Sequence, residues 1–264
     1  MPSAIIAAAL YLLVTAIQLR RLKHAPATGT RTVIALSVVA VLVHGYSAVT
    51  AVQSPAGINL GFFKISSLIF WMIDVLFLLS LLRRPLANLG IVLFPLSAVA
   101  VLVSAIAPGN AKPFGDLPGG MLLHIGSSVL AYAVLTIAAC QAGAVAAMDY
   151  QLRHRHTRGL VQILPPLQLM ETMLFELLWV GLLLLTIAIG SGMVFLQDIF
   201  AQHLVHKTVL TICAWLLFAT LLWGHHQLGW RSQTAVRFTL SGFVVLMLGY
   251  FGSKFVLELI LHQT

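Results

Sequence analysis

Eight long apolar runs, laid almost end to end, constrain this chain more than any other feature. A segment must keep about 20 largely apolar residues together to cross roughly 30 Å of hydrocarbon. Runs of that kind fall at residues 3–19, 33–52, 62–82, 86–107, 120–148, 169–196, 207–226 and 238–261. They are continuous and lack period-2 alternation, so they predict helices rather than a closed barrel. Breakers separate the runs, at Pro26, Gly29, Pro55, Gly57, Pro85, Pro108, Gly109, Pro113, Pro118, Gly119, Pro165 and Pro166. Pro95 lies inside the fourth run and predicts a kink. The expected fold class is all-α: a polytopic transmembrane helical bundle of about eight spans, forming a single integral membrane domain over residues 1–264.

Composition agrees. Charged residues make up 8% of the 264 residues, and the mean hydropathy is +1.00. A soluble domain carries roughly 25% charged residues. The formal net charge of +8 would raise nucleic acid as a partner in a soluble protein. Here the basic residues sit in short loops between spans, with no basic stripe interleaved with aromatics, so membrane lipid is the expected partner and nucleic acid is not.

Those loops also predict orientation. One set holds Arg20, Arg21, Lys23, Arg31, Arg83, Arg84, Arg153, Arg155, Arg158, Arg231 and Arg237; the other holds Lys64, Lys112, Lys207 and Lys254. Lys and Arg accumulate on the cytoplasmic side. Both termini are therefore expected on the non-cytoplasmic side, the periplasm in a bacterium. The first run has its positive charges after it, which predicts an uncleaved first span. Gly120 to Arg153 reads as one helix projecting past the membrane, and Pro165-Pro166 breaks the chain before the sixth span. A short surface helix is possible over residues 160–168.

Enzyme motifs are missing: there is no GxSxG, HExxH, Walker loop or CxxC. Without CxxCH the chain has no thiol pair for covalent c-type haem. Cys140 and Cys213 lie within apolar runs and read as small core residues. No catalytic residue is expected.

Ionisable residues inside a membrane are costly, so each is a candidate for function. His44, in VAVLVHGYSAVTAV, either hydrogen-bonds a neighbouring helix or serves as an axial haem ligand. His124, in GGMLLHIGSSVLAY, carries the same two readings. Counted from the same face, the depths of the two differ by only several ångströms at ~1.5 Å per residue, so both could reach one haem. His225 and His226 end the seventh run, in LLWGHHQLGWR, beside Trp223 and Trp230 of an aromatic belt. His203, His206, His154, His156 and His24 read as solvated or loop residues. Asp74, in IFWMIDVLFL, needs a donor or stays protonated. Glu171 reads as an interface residue, while Glu176 lies deeper and needs a partner. Lys254 and Glu258 pair at i,i+4, with His262 one turn further.

Several motifs occur in an order that resembles one family. GGMLLHIGSSVLAYAVLTIAA, then LPPLQLMETMLFELLWVGLLLLTIAIGSG, then HKTVLTICAWLLFATLLWGHHQLGWR and FTLSGFVVLMLGYFGSKF are similar to the second half of the cytochrome c assembly family, the haem-handling CcsA/CcmC group. The first half resembles it through His44 and ISSLIFW. The match is with its short YpjD-like branch. The resemblance implies a bacterial inner-membrane protein that handles haem b. It implies that His124 is the outer-side histidine approaching haem. His225 lies within a residue or two of a membrane histidine that ligates haem b in larger members. His262 lies near a second outer histidine. The chain departs from the family in its loop VFLQDIFAQHLVHKT, which has no tryptophan where the family carries a tryptophan-rich motif. That departure weakens haem presentation more than haem binding, which needs only axial ligands and an apolar slot.

Three readings follow. The first is a haem-binding protein with His44, His124 and His225 as axial ligands and a cytochrome assembly factor as partner. The second is a cofactor-free accessory subunit that binds another membrane protein, an ion-transport or assembly factor. The third is a small transporter using Asp74 or Glu176.

Overall fold

A computed structural model describes residues 1–24, 30–54, 57–59, 61–82, 87–107, 118–154, 164–195 and 202–252. The chain divides into two compact units, Met1–Asp116 and Leu117–Gln263. Each is described by itself.

The first unit is built from α1 (Pro2–His24), α2 (Thr30–Val52), α3 (Phe62–Leu81) and α4 (Gly90–Ile106). A two-residue antiparallel pair, β1 (Gln53–Ser54) and β2 (Gly57–Ile58), follows α2. The helices neighbour one another in a ring: α1 on α2, α2 on α3, α3 on α4 and α4 back on α1. Pro95 stays within α4, one turn after its start. The core holds Tyr11, Phe77 and Phe94, all fully buried. Tyr11 and Phe94 stack at 5.4 Å, and Phe77 meets Phe94 edge-on at 5.6 Å. Offset and edge-on arrangements suit the ring quadrupoles.

Small residues let these helices approach closely, as membrane helices require. At Gly45 of α2 the Trp71 indole of α3 lies so near that an added Cβ would sit 2.6 Å from its Nε1. That indole donates to the Val41 carbonyl at 3.0 Å. Gly45→Ala should therefore destabilise the unit by about 1–3 kcal/mol through overpacking, although alanine is the better helix former by about 1 kcal/mol. Thermal unfolding in detergent, with tryptophan emission as readout, checks this; an unchanged midpoint and spectrum would contradict it.

The second unit contains α5 (Gly119–Arg153), α6 (Leu167–Phe195), α7 (Gln202–Leu228) and α8 (Ser232–Met247), and α8 runs into a π-helical turn, Leu248–Gly252. α5 packs on α6 and α8, and α7 also packs on both. α5 is one unbroken helix of 35 residues, as its sequence predicts. The π turn displaces the backbone ladder, and the Tyr132 hydroxyl donates to the Leu246 carbonyl at 2.9 Å. Tyr132 also meets the Tyr250 and Phe251 rings, and the Lys207 ammonium lies 5.2 Å over the Tyr250 ring.

Eight helices among the described residues are long and apolar enough to span a membrane. They lie where the eight apolar runs are. The largest shift is in the last one, which starts at Ser232 rather than 238. The polar residues 232–237 are helical because partners outside α8 hold its first turn, as described below. Residues 160–163 of the proposed surface helix lie outside the described residues, residues 164–166 are not helical, and Leu167 already begins α6. The Lys254, Glu258 and His262 face lies outside the described residues.

Candidate functional site

All four helices of the first unit turn a polar side chain toward one buried point. α1 brings Tyr11, α2 His44, α3 Ser67 and Asp74, and α4 Ser97. Ser67 and Asp74 share a face because they stand two turns apart on α3. His44 is fully buried. Its Nδ1 lies 3.1 Å from the Tyr11 hydroxyl, and its Nε2 lies 3.1 Å from Ser67 Oγ. Both ring nitrogens thus face hydroxyls. Asp74 Oδ2 stands 3.9 Å from His44 Nδ1 with the residue fully buried. The Tyr11 and Ser97 hydroxyls face the Asp74 carboxyl, yet neither carboxyl oxygen has a hydrogen bond of good geometry. Ser97 instead donates to the Leu93 carbonyl at 3.1 Å.

His124, in the second turn of α5, is held differently. Its Nδ1 lies 2.8 Å from the Ala188 carbonyl of α6. A carbonyl only accepts, so Nδ1 carries the proton. In the neutral ring Nε2 is then left with its lone pair. Gly192 of α6 makes room for this ring, since a Cβ there would meet His124 Cε1 at 3.0 Å and Nδ1 at 3.1 Å. His124 is half-buried.

His225, in the last turn of α7, repeats that arrangement. Its Nδ1 donates to the Trp230 carbonyl at 2.8 Å, which again leaves Nε2 as the lone-pair nitrogen. The imidazole stacks on Phe175 of α6, with centroids 3.5 Å apart and planes inclined by 16°. A helix-ending turn places Trp230 there. Gly229 takes φ +67°, and the Trp230 N–H reaches back to the Gly224 carbonyl at 3.2 Å. A left-handed glycine just past the last turn is a common helix stop, and the bond here reaches one residue further back than the usual six-residue closure. The Trp230 indole then covers Gly224, where a Cβ would meet it at 2.3 Å.

Glu171 of α6 completes this corner. Its Oε1 accepts from the Ser232 N–H at 2.8 Å. Ser232 is the first residue of α8, where N–H groups have no partner within the helix and negative charge is favourable. Gln233 Nε2 donates to Asp149 Oδ2 at 3.3 Å, and Arg153 pairs with Asp149 at 3.0 Å. These contacts hold the first turn of α8 against α5 and α6. Glu171 therefore works as a helix cap.

The structure places the remaining candidates apart. Glu176 faces outward from α6. His226 is exposed, and His154 is exposed with its Nδ1 on the Tyr150 carbonyl at 2.8 Å. The His203 and His206 side chains and all of His262 lie outside the described residues. No group of three or more His, Cys, Asp or Glu able to hold a metal ion occurs among the described residues. His44 and His124 belong to different units. His124 and His225 belong to one unit, but their α6 neighbours, Ala188 and Phe175, are thirteen positions apart in sequence, about 20 Å along that helix at ~1.5 Å per residue. One iron cannot take both.

Sequence reading missed Tyr11, Ser67, Ser97, Phe175 and Gly192. Tyr11 left a signal, a lone phenol in the apolar run AAALYLL. The rest look like ordinary span residues.

Two half-buried histidines with carbonyl-anchored Nδ1 thus sit on a polytopic helical membrane scaffold. The family model for the cytochrome c assembly protein matches residues 32–261, and the chain belongs to that family. It is 36% identical over 209 residues to inner membrane protein YpjD of Escherichia coli K12, covering 78% of each chain. It is 31% identical over 188 residues to a 28.8 kDa protein in a nifR3-like 5′ region of Azospirillum brasilense, covering 69% of each. No solved structure matches the chain. The eight spanning helices and the name of the E. coli relative agree on a multi-pass inner-membrane protein.

Proposed function

We propose that this chain handles haem b in the inner membrane, in the setting of cytochrome c assembly, with His124 and His225 supplying axial imidazoles at two separate positions. The observation that carries the reading is the pair of Nδ1–H bonds to the Ala188 and Trp230 carbonyls, at 2.8 Å each. A metal-ligating histidine usually donates its other ring N–H to a carbonyl or carboxylate, which fixes the tautomer and the ring plane. Haem, when bound, supplies the iron and its redox chemistry. The chain's own residues hold the imidazoles, and apolar helices exclude water around them. Gly192 keeps the His124 ring space open, and Phe175 fixes the His225 ring by stacking. His44 stands outside this proposal, because an iron at Nε2 would have to displace Ser67. His262 stays an expectation of the family resemblance. The basic loops support both termini lying on the non-cytoplasmic side, and the family supports a cytochrome assembly factor or another membrane protein as partner.

The alternative is a cofactor-free accessory subunit. The closed His44 cluster favours it, since that histidine is already satisfied by side chains, and so does the loop without tryptophan. An absorption spectrum separates the two. The protein, expressed with haem available and purified in detergent, is expected to show a Soret band and sharp α and β bands on dithionite reduction. A colourless, monodisperse protein that co-purifies with a membrane partner would replace this reading with the accessory subunit.

A further inference from the structure

We propose that Tyr11, His44 and Asp74 form an intramembrane proton-binding site, with one proton resident on the Asp74 carboxyl and the Tyr11 hydroxyl bridging it to His44. The argument starts from solvation. Asp74 is 0% exposed, and both its oxygens are without a hydrogen bond of good geometry. An ionised carboxylate so placed loses its hydration with nothing equivalent in return, and neutralisation is the usual outcome. No Lys or Arg is buried among the described residues, so no fixed cation compensates it. The groups that face it from the packed helices are Tyr11 on α1, His44 on α2 and Ser97 on α4, with Ser67 further along its own helix. Ser97 already donates to its own helix.

Desolvation places the proton on Asp74, and the hydrogen-bond directions follow from it. Tyr11 has one O–H, and it stands 3.1 Å from His44 Nδ1. With Asp74 ionised and His44 neutral, the Tyr11 O–H could turn to the carboxylate only if the ring carried its proton on Nδ1, and the carboxylate would keep a full charge in a core that offers it no fixed cation. With the proton on Asp74, every group has a role. The carboxyl O–H points to the Tyr11 oxygen, the Tyr11 O–H donates to His44 Nδ1, and the His44 Nε2–H donates to Ser67 Oγ, 3.1 Å away. The same chain has a second complete arrangement. The Asp74 O–H bond breaks and its proton joins the Tyr11 oxygen, while the former Tyr11 proton bonds to His44 Nδ1. The products are a carboxylate and an imidazolium, and the net charge is unchanged. Charge separation in a dry core favours the neutral form. The cluster is therefore a one-proton site that can exchange its proton between two residues of different helices.

Infrared spectroscopy of the full-length purified protein tests this. At neutral pH the wild type is expected to show the carbonyl stretch of a protonated carboxylic acid, shifted by carboxyl-13C aspartate labelling and lost completely in Asp74→Asn. Tyr11→Phe, which keeps the ring and its stacking, should raise the frequency of that band by removing its hydrogen-bond partner. This second variant and the isotope label decide the matter even if Asp74→Asn does not fold. A wild-type spectrum without the band overturns the proposal. So does a band indifferent to both the label and Tyr11→Phe. A band that disappears on adding sodium at constant pH would make the cluster a cation site instead.

Discussion

His44→Ala is expected to be strongly destabilising, lowering the stability of the first unit by about 3 kcal/mol. Two terms add. Interhelical hydrogen bonds within membranes average only about 0.6 kcal/mol, so losing the Tyr11 and Ser67 contacts accounts for about 1 kcal/mol. Truncating a fully buried ring also leaves a void, and large-to-small changes in packed cores cost about 2–5 kcal/mol, with the lower end applying where neighbours relax. Tyr11, held by its stack on Phe94, has little freedom to fill the space. The control is His226→Ala, an exposed position where about 0.5 kcal/mol or less is expected. Thermal unfolding of the two variants side by side in the same detergent is the measurement. Equal midpoints would show that the cluster contributes no packing of its own.

Replacing His124 and His225 together should abolish haem absorbance, and each single replacement should remove only part. The separation of about 20 Å along α6 requires this, because sites more than 7–10 Å apart with no shared partner behave independently. The His124→Ala spectrum should keep the features that His225→Ala loses, and the reverse. A double variant that keeps its Soret band with a normal melting curve would rule out both residues as ligands. A single variant that loses all colour would mean that one of the two positions holds no haem. Gly192→Val gives an independent check, since its branched side chain would press on the His124 ring and reduce the same share of absorbance as His124→Ala.

The spans were legible because the membrane rewards one local property, an unbroken apolar stretch, and that property is written in consecutive residues. α5 as one long helix was legible for the same reason. The start of α8 was not. Residues 232–237 include Gln233, Thr234 and Arg237, and they are helical because Glu171 receives the Ser232 N–H and Asp149 receives Gln233. Both partners lie more than 60 positions away in sequence. The first-unit cluster was half legible. His44 and Asp74 stood out as ionisable residues among apolar ones, but hydropathy says nothing of which helix faces which. Tyr11, Ser67 and Ser97 acquire meaning only when four helices converge. His124 and His225 stood out as ionisable residues in apolar runs and gained weight through the family resemblance, whereas the carbonyls that fix their tautomers belong to Ala188 and Trp230, whose side chains carry no such signal. Glu176 faces outward because α6 turns Met173, Leu174 and Leu178 inward instead.

The length of α5 makes the thickness of the surrounding lipid a physical variable for this protein. From Gly119 to Met148 the helix carries no Asp, Glu, Lys or Arg, a stretch of about 45 Å at ~1.5 Å per residue against roughly 30 Å of hydrocarbon. The span that holds α4, Ala87–Ile106, has 20 residues and reaches about 30 Å on the same scale. A thin bilayer suits the short helix and leaves the long one leaning or overhanging, while a thick one relieves the long helix and strains the short. The two helices belong to separate units, so a change in acyl-chain length presses on each unit in the opposite sense.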